Sequence, residues 1–186
     1  MRHALILVPV ALALTVSVAA AESVIGIGTF YGVGIPTSGE WKTTKESKAG
    51  LAFGFRLPMA LGSAFSLEPY AERIEGKPDK VYNGSLDGYD VMSYGMNLGI
   101  GRLVTNHGGL HITPFAGIGF TKPRREKGPS DDKMGWQAGL SIGLHGSETA
   151  HWDLRGAYNS MGKISGELKH RNYIAISLGL TGVVSR

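Results

Sequence analysis

From Glu22 onward, apolar residues alternate with glycine or polar residues at a period of two. Successive side chains of an extended strand leave on opposite faces, so this period sorts the chain into two faces. Helical periodicity is hard to find. Runs and breaks predict strands near 23–35, 49–57, 64–74, 89–103, 110–121, 134–145, 151–161 and 171–184. The connections alternate: 36–48 long, 58–63 short, 75–88 long, 104–109 short, 122–133 long, 146–150 short and 162–170 moderately long. Long connections therefore gather at one end and short ones at the other. The expected fold is all-β, an eight-stranded antiparallel up-and-down transmembrane β-barrel with short periplasmic turns and longer extracellular loops.

The composition of the two faces sharpens this expectation. One face carries Ile25, Ile27, Tyr31 and Val33 on the first strand and Ile174, Ile176, Leu178 and Leu180 on the last, and it is equally apolar between. The other face carries Gly26, Gly28, Gly32, Gly54, Ser66, Asn97, Gly117, Gly119, Gln137, Ser141, Ser177 and Gly179. The competing arrangement is a soluble barrel of lipocalin type, with the apolar face inside. A water-facing strand surface normally carries Lys, Glu and Thr, and glycine gains nothing there. Inside a narrow eight-stranded barrel, where space is short, glycine has a reason. Closure also pairs every backbone group in lipid, which an open sheet cannot do.

The N-terminus reads Met1-Arg2-His3, then an apolar run from Ala4 closing on Ala19-Ala20-Ala21 before Glu22. A basic start, an apolar middle and small residues before the cut define a secretory signal peptide. Cleavage is expected between Ala21 and Glu22, leaving 22–186 as one outer-membrane barrel domain. An uncleaved anchor competes, but the run barely reaches the roughly 20 residues that span a bilayer. The chain has no cysteine, 28 glycines and 18% charged residues. A disulfide scaffold and a thiolate metal site are thereby excluded, and the composition suits a chain crossing an oxidising periplasm.

On the small and polar face lie charges of both signs: Arg56, Glu68, Glu72, Asp153 and Arg155. An unpaired charge in a poorly solvated interior is costly, so these are expected to pair as a lumenal polar network. They would plug the barrel; a gated ion path is the alternative, for which eight strands are normally too few. Nucleophilic catalysis has weak candidates. His145, Ser147, Glu148 and His151 fall in or beside a short turn expected to be solvated. His107 and His111 are too few for a metal site. Patterns such as Gly26-Ile27-Gly28 lie inside strands with no helix following, so no phosphate loop is expected. No enzymatic activity, metal or cofactor is expected.

The long connections are charged. Lys122, Arg124, Arg125 and Lys127 form a basic loop surface, with Lys163, Lys169, His170 and Arg171 nearby. Such cations would neutralise lipopolysaccharide phosphates beside the barrel. Alternatively they bind an anionic host or matrix ligand, since binding usually resides on loops carried by a rigid scaffold. Outer-membrane lipid, lipopolysaccharide and the barrel-assembly machinery are the expected partners, and nucleic acid is not. Trp41, Tyr82, Tyr89, Trp136, Trp152 and Tyr173 lie near strand ends, where aromatic girdles anchor barrels.

The segment Trp152-Asp153-Leu154-Arg155-Gly156-Ala157-Tyr158, followed by Tyr173-Ile174-Ala175-Ile176-Ser177-Leu178-Gly179-Leu180, resembles the closing hairpin of the OmpA-like and opacity-type family of small outer-membrane barrels. The likeness extends over the whole mature chain and implies a non-enzymatic surface protein acting in envelope integrity, adhesion or host contact. The family commonly ends on an aromatic residue that the assembly machinery recognises, whereas this chain ends Val183-Val184-Ser185-Arg186. Less efficient assembly is the expectation there, and no peptidoglycan-binding domain is expected to follow. Tyr158-Asn159-Ser160-Met161-Gly162 resembles loosely the His-x-Ser-Asn stretch of the lipid A deacylase barrels. Tyr158 stands where that family's general-base histidine would be, so the resemblance does not imply that activity.

Overall fold

The computed structural model describes residues 24–38, 49–61, 65–76, 89–100, 110–124, 132–145, 149–161 and 171–185. Its hydrogen-bonded segments are β1 (Ile25–Ser38), β2 (Gly50–Arg56), β3 (Met59–Leu61), β4 (Phe65–Gly76), β5 (Tyr89–Ile100), β6 (Leu110–Arg124), β7 (Lys133–His145), β8 (Ala150–Met161) and β9 (Arg171–Ser185). Apart from β2 and β3, segments adjacent in sequence pair antiparallel, and β1 pairs with β9 from Ile25↔Ser185 to Ser38↔Asn172, which closes the sheet on itself.

Segments β2 and β3 are one stave, so the barrel has eight. Arg56 lies opposite Gly28 and Met59 opposite Ile25 on β1, while on β4 the same residues face Tyr70 and Leu67. The register thus runs unshifted through Leu57 and Pro58. Proline has no N–H to donate, yet the Pro58 carbonyl still accepts the Gly26 N–H at 2.8 Å, and Leu57 N donates to the Pro69 carbonyl at 2.9 Å. One ladder bond is lost and the strand continues. The expectation of a strand ending at 57 and a short connection over 58–63 is corrected on this point: the strand runs on through Met59–Leu61. Strand β6 is also longer than expected and runs to Arg124, so Lys122 and Arg124 belong to the wall and not to a loop.

Burial is inverted relative to a soluble protein. Phe55 is 65% exposed and Ile118 60%, while Ser66 and Asn97 are at 0% and 1%. Leu98, Leu140, Leu154 and Leu178 continue the exposed apolar surface around the barrel. Soluble monomers rarely expose an apolar surface that continues around the whole molecule. Both faces follow the alternation read from the sequence: Ala52, Ser66, Glu68, Asn97, Gln137 and Ser141 are inside, and the apolar set is outside. This excludes the lipocalin arrangement.

Glycine supplies room where a wide side chain crosses the narrow lumen. A Cβ at Gly119 would stand 2.8 Å from the Tyr70 hydroxyl and 2.6 Å from the Tyr94 carbonyl oxygen. Gly156 faces lipid and a Cβ there meets nothing within 4 Å. Gly119→Val is therefore expected to cost about 1–3 kcal/mol by overpacking, whereas Gly156→Val is expected to be neutral or stabilising, valine being the better strand former. Urea unfolding of the refolded barrel, followed by tryptophan fluorescence, separates the two; equal effects would refute the crowding argument.

Candidate functional site

The lumen is built in layers. Toward the end with the short connections, the Arg56 guanidinium makes a two-pronged pair with Asp153: Nη1 donates to Oδ2 at 2.8 Å and Nη2 to Oδ1. The same Nη2 donates to Thr181 Oγ1 at 3.1 Å, and Ser141 Oγ donates to Asp153 Oδ2 at 3.2 Å. A second pair joins Arg155 Nη1 to Glu68 Oε1. Glu68 also accepts from Asn97 Nδ2 at 3.0 Å, and Asn97 Oδ1 in turn accepts from Gln137 Nε2 at 2.8 Å. Glu68 Oε2 lies 3.8 Å from Arg56 Nη1, which links the two pairs. The Arg155 guanidinium sits 3.7 Å from the centroid of the Phe115 ring.

The alternation of strands sends all these groups inward, and closure brings them together from β2, β4, β5, β6, β7, β8 and β9. Arg56 and Glu68 are each 3% exposed. Charges at such depth persist where both pairing and hydrogen bonding are met. Glu72 stands apart from the two ion pairs, and its carboxylate accepts from the Tyr173 hydroxyl at 3.5 Å.

Above Glu72, toward the long connections, the lumen turns apolar: Ala52, Ile74, Val91, Met161, Tyr173 and Ala175 pack as one buried cluster. The expectation of Tyr173 in an aromatic girdle is corrected here. Ile174 faces lipid, so its neighbour Tyr173 must face inward, where it is 1% exposed. His151 is corrected likewise. It lies in β8, buried on the lumenal side, and not in a solvated turn. His111 is on β6 with its ring against Gly143, where a Cβ would collide with it. His145 ends β7; Ser147, Glu148 and His107 lie outside the described residues.

Among the described residues the interior spaces are small. One cavity is lined by Arg56, His111, His151 and Asp153 among others, and another by Phe30, Tyr70, Glu72 and Arg155 among others. Each has space on the scale of a single water molecule. Among the described residues no cluster of three or more His, Asp or Glu is arranged to hold a metal ion.

On the outside, the Tyr94 and Phe120 rings lie 5.9 Å apart and those of Trp136 and Tyr158 5.5 Å apart, near the long-connection end. Trp152 is exposed toward the opposite end. Tyr89 opens β5; Trp41 and Tyr82 lie outside the described residues. Tyr158 packs on Trp136, while Asn159 points inward and donates through Nδ2 to the Ala157 carbonyl at 3.3 Å. The alternation therefore divides the Tyr158-Asn159-Ser160 stretch between the two faces. Of the basic surface, Lys122 is exposed on β6 and Arg124 ends that strand; Arg125 and Lys127 lie outside the described residues.

A closed antiparallel barrel, apolar outside and threaded by ion pairs inside, defines an integral protein of the bacterial outer membrane. The chain belongs to the outer membrane protein beta-barrel domain family, whose model matches residues 6–181. It is a small barrel of the OmpA-like and opacity type. It is similar in structure to Neisserial surface protein A (NspA), at 12% identity and a TM-score of 0.64, over 88% of this chain and 98% of that one. The N-terminal β-barrel domain of Pseudomonas aeruginosa OprF aligns at 12% identity and a TM-score of 0.51, over 88% and 98% of the two chains. A major outer membrane protein of Thermus thermophilus aligns at 7% and 0.54, over 86% and 99%. At such identities the likeness is one of fold. No curated protein sequence matches the chain.

Proposed function

We propose that this protein is a non-enzymatic surface anchor, exported on residues 1–21 and cleaved between Ala21 and Glu22. Its four longer connections, 36–48, 75–88, 122–133 and 162–170 in the sequence reading, face outward and act in adhesion, host contact or envelope integrity. The barrel-assembly machinery inserts it, and lipopolysaccharide surrounds its outer end. The observation that carries this reading is the filled lumen. Two ion pairs and an apolar cluster occupy the interior in succession, with spaces of water size between them. A barrel so filled offers its connections, and not its interior, to other molecules.

The test is adhesion of cells displaying the protein to a surface coated with an anionic polymer. Trimming the connections one at a time is expected to abolish adhesion while the heat-dependent gel shift of a folded barrel persists. If all four can be trimmed without loss of adhesion or envelope integrity, the proposal fails. A conduit for ions or small apolar molecules is the second reading. The purified barrel in a planar bilayer is expected to show no current above leakage, and discrete openings would favour the conduit.

A further inference from the structure

Four of the chain's six histidines, His107, His111, His145 and His151, fall in or beside the connections 104–109 and 146–150. Those connections join β5 to β6 and β7 to β8, and β6 pairs with β7, so the fold brings His111, His145 and His151 to one end of the barrel. Taken pair by pair along the sequence, the histidines are too few to hold a metal ion. Pairing of the strands changes the count. His111 on β6 lies opposite Gly143 on β7, and Gly143 lies opposite Asp153 on β8. Two residues further along the same two strands, His145 lies opposite His151.

Two of these imidazoles converge on one space. His151 is buried on the lumenal side. The His111 ring lies across β7, over Gly143, where a Cβ would collide first with Cε1 and Nε2. Two strand spacings, about 10 Å, separate the backbones of β6 and β8; the ring covers the first of them, so its tip is turned toward β8. His111 Nδ1 is buried and has no hydrogen-bond partner among the described residues, which is costly for a polar nitrogen. Both rings line one cavity with Ser141, Asp153 and Thr181, and its space is that of one water molecule or one ion. The charges around it cancel, Arg56 against Asp153 and Arg155 against Glu68. Thr181, which accepts from Arg56, stands between that strand's row and His151 in the ladder.

We propose that His111, His145 and His151 bind a divalent transition-metal ion of the zinc class at the short-connection end of the lumen. Imidazole without thiolate suits zinc, copper and nickel, and three histidines with water in the fourth position form a recurrent zinc set. His145 enters the set through its ladder position: residues directly opposite on neighbouring strands hold their Cβ atoms about 5 Å apart, within reach of one ion. Gly143 is the gap that lets the His111 ring cross from the third strand of the set. The ion ties β6, β7 and β8 together beside the Arg56–Asp153 pair.

The experiment uses the full mature barrel without a polyhistidine tag, refolded in non-ionic maltoside micelles and titrated with Zn2+ in a calorimeter. One ion per barrel is expected. The single variants His111→Gln, His145→Gln and His151→Gln are each expected to weaken binding by more than the roughly 10–100-fold that loss of an outer-shell partner costs. His170→Gln, at the opposite end, is expected to bind as wild type does. Co2+ in place of Zn2+ is expected to show the visible absorption of a four-coordinate ion held by nitrogen. Zn2+ is also expected to raise the urea midpoint of the wild type and not that of His111→Gln/His151→Gln, since binding to the folded state alone stabilises it. No binding by the wild type would overturn the proposal, and so would unchanged affinity in His111→Gln or His151→Gln, an equal loss in His170→Gln, or the spectrum of the hydrated Co2+ ion. A heat-dependent gel shift verifies that each variant is folded.

Discussion

Replacing Arg56 with leucine is expected to destabilise the barrel by about 3–5 kcal/mol, because removing one partner strands a buried charge. Asp153 would keep Ser141 as a donor and lose both guanidinium contacts, at a depth where little solvent can replace them. Glu68 would also lose the more distant cation at 3.8 Å. The double variant Arg56→Leu/Asp153→Leu is expected to recover most of the loss, since an apolar pair of similar volume replaces a buried ion pair at little net cost. Unfolding midpoints in urea for the two singles and the double give the coupling directly. If the double falls as far as the sum of the singles, the residues act independently and the description of the lumen as paired fails.

The outer surface supplies the second large effect. Leu140 stands midway along the apolar row of β7, between Met134 toward one end and Leu144 toward the other, and it is half exposed. Leu140→Arg is expected to cost about 2–4 kcal/mol in a bilayer, and Met134→Arg, near the headgroups, about 0–1 kcal/mol. Folding into lipid vesicles at a series of urea concentrations measures both. Identical costs at the two depths would contradict the placement of β7 across the membrane. In the wall of a water-soluble barrel both substitutions would be tolerated.

Much of this architecture can be read from parity alone. Once Ile174 is assigned outward, Tyr173 is inward, and the same rule puts Ile74, Val91 and Met161 inside with Glu72 and Asn159. The cluster they form escapes a sequence reading that treats the lumen as small or polar throughout. Parity locates a side chain on a face but says nothing of its depth-wise neighbours. The lumenal charges are legible as a set. Which of them meet is not, because Arg56 reaches Asp153 and not Glu72 only through the stagger with which eight staves close. Glu72 illustrates the limit, with a tyrosine as its donor in place of an arginine. Pro58 misleads for a different reason. Proline ends a strand where its missing donor matters, and here a single absent bond leaves the ladder in register on both sides.

The ion pairs join residues 97 and 87 positions apart, and both tie β8 to staves laid down near the beginning of the chain. Chain loops of that length close slowly, because their entropy is surrendered before any contact compensates for it. Arg56 and Glu68 therefore wait for their partners until the sheet has curled far enough to bring its last staves beside its first. A contact made this late contributes little to the folding transition state, so its loss accelerates unfolding far more than it retards folding. The guanidinium clamps thus act as a ratchet on departure: an assembling chain reaches the bilayer without them, and a finished barrel is kept there by them.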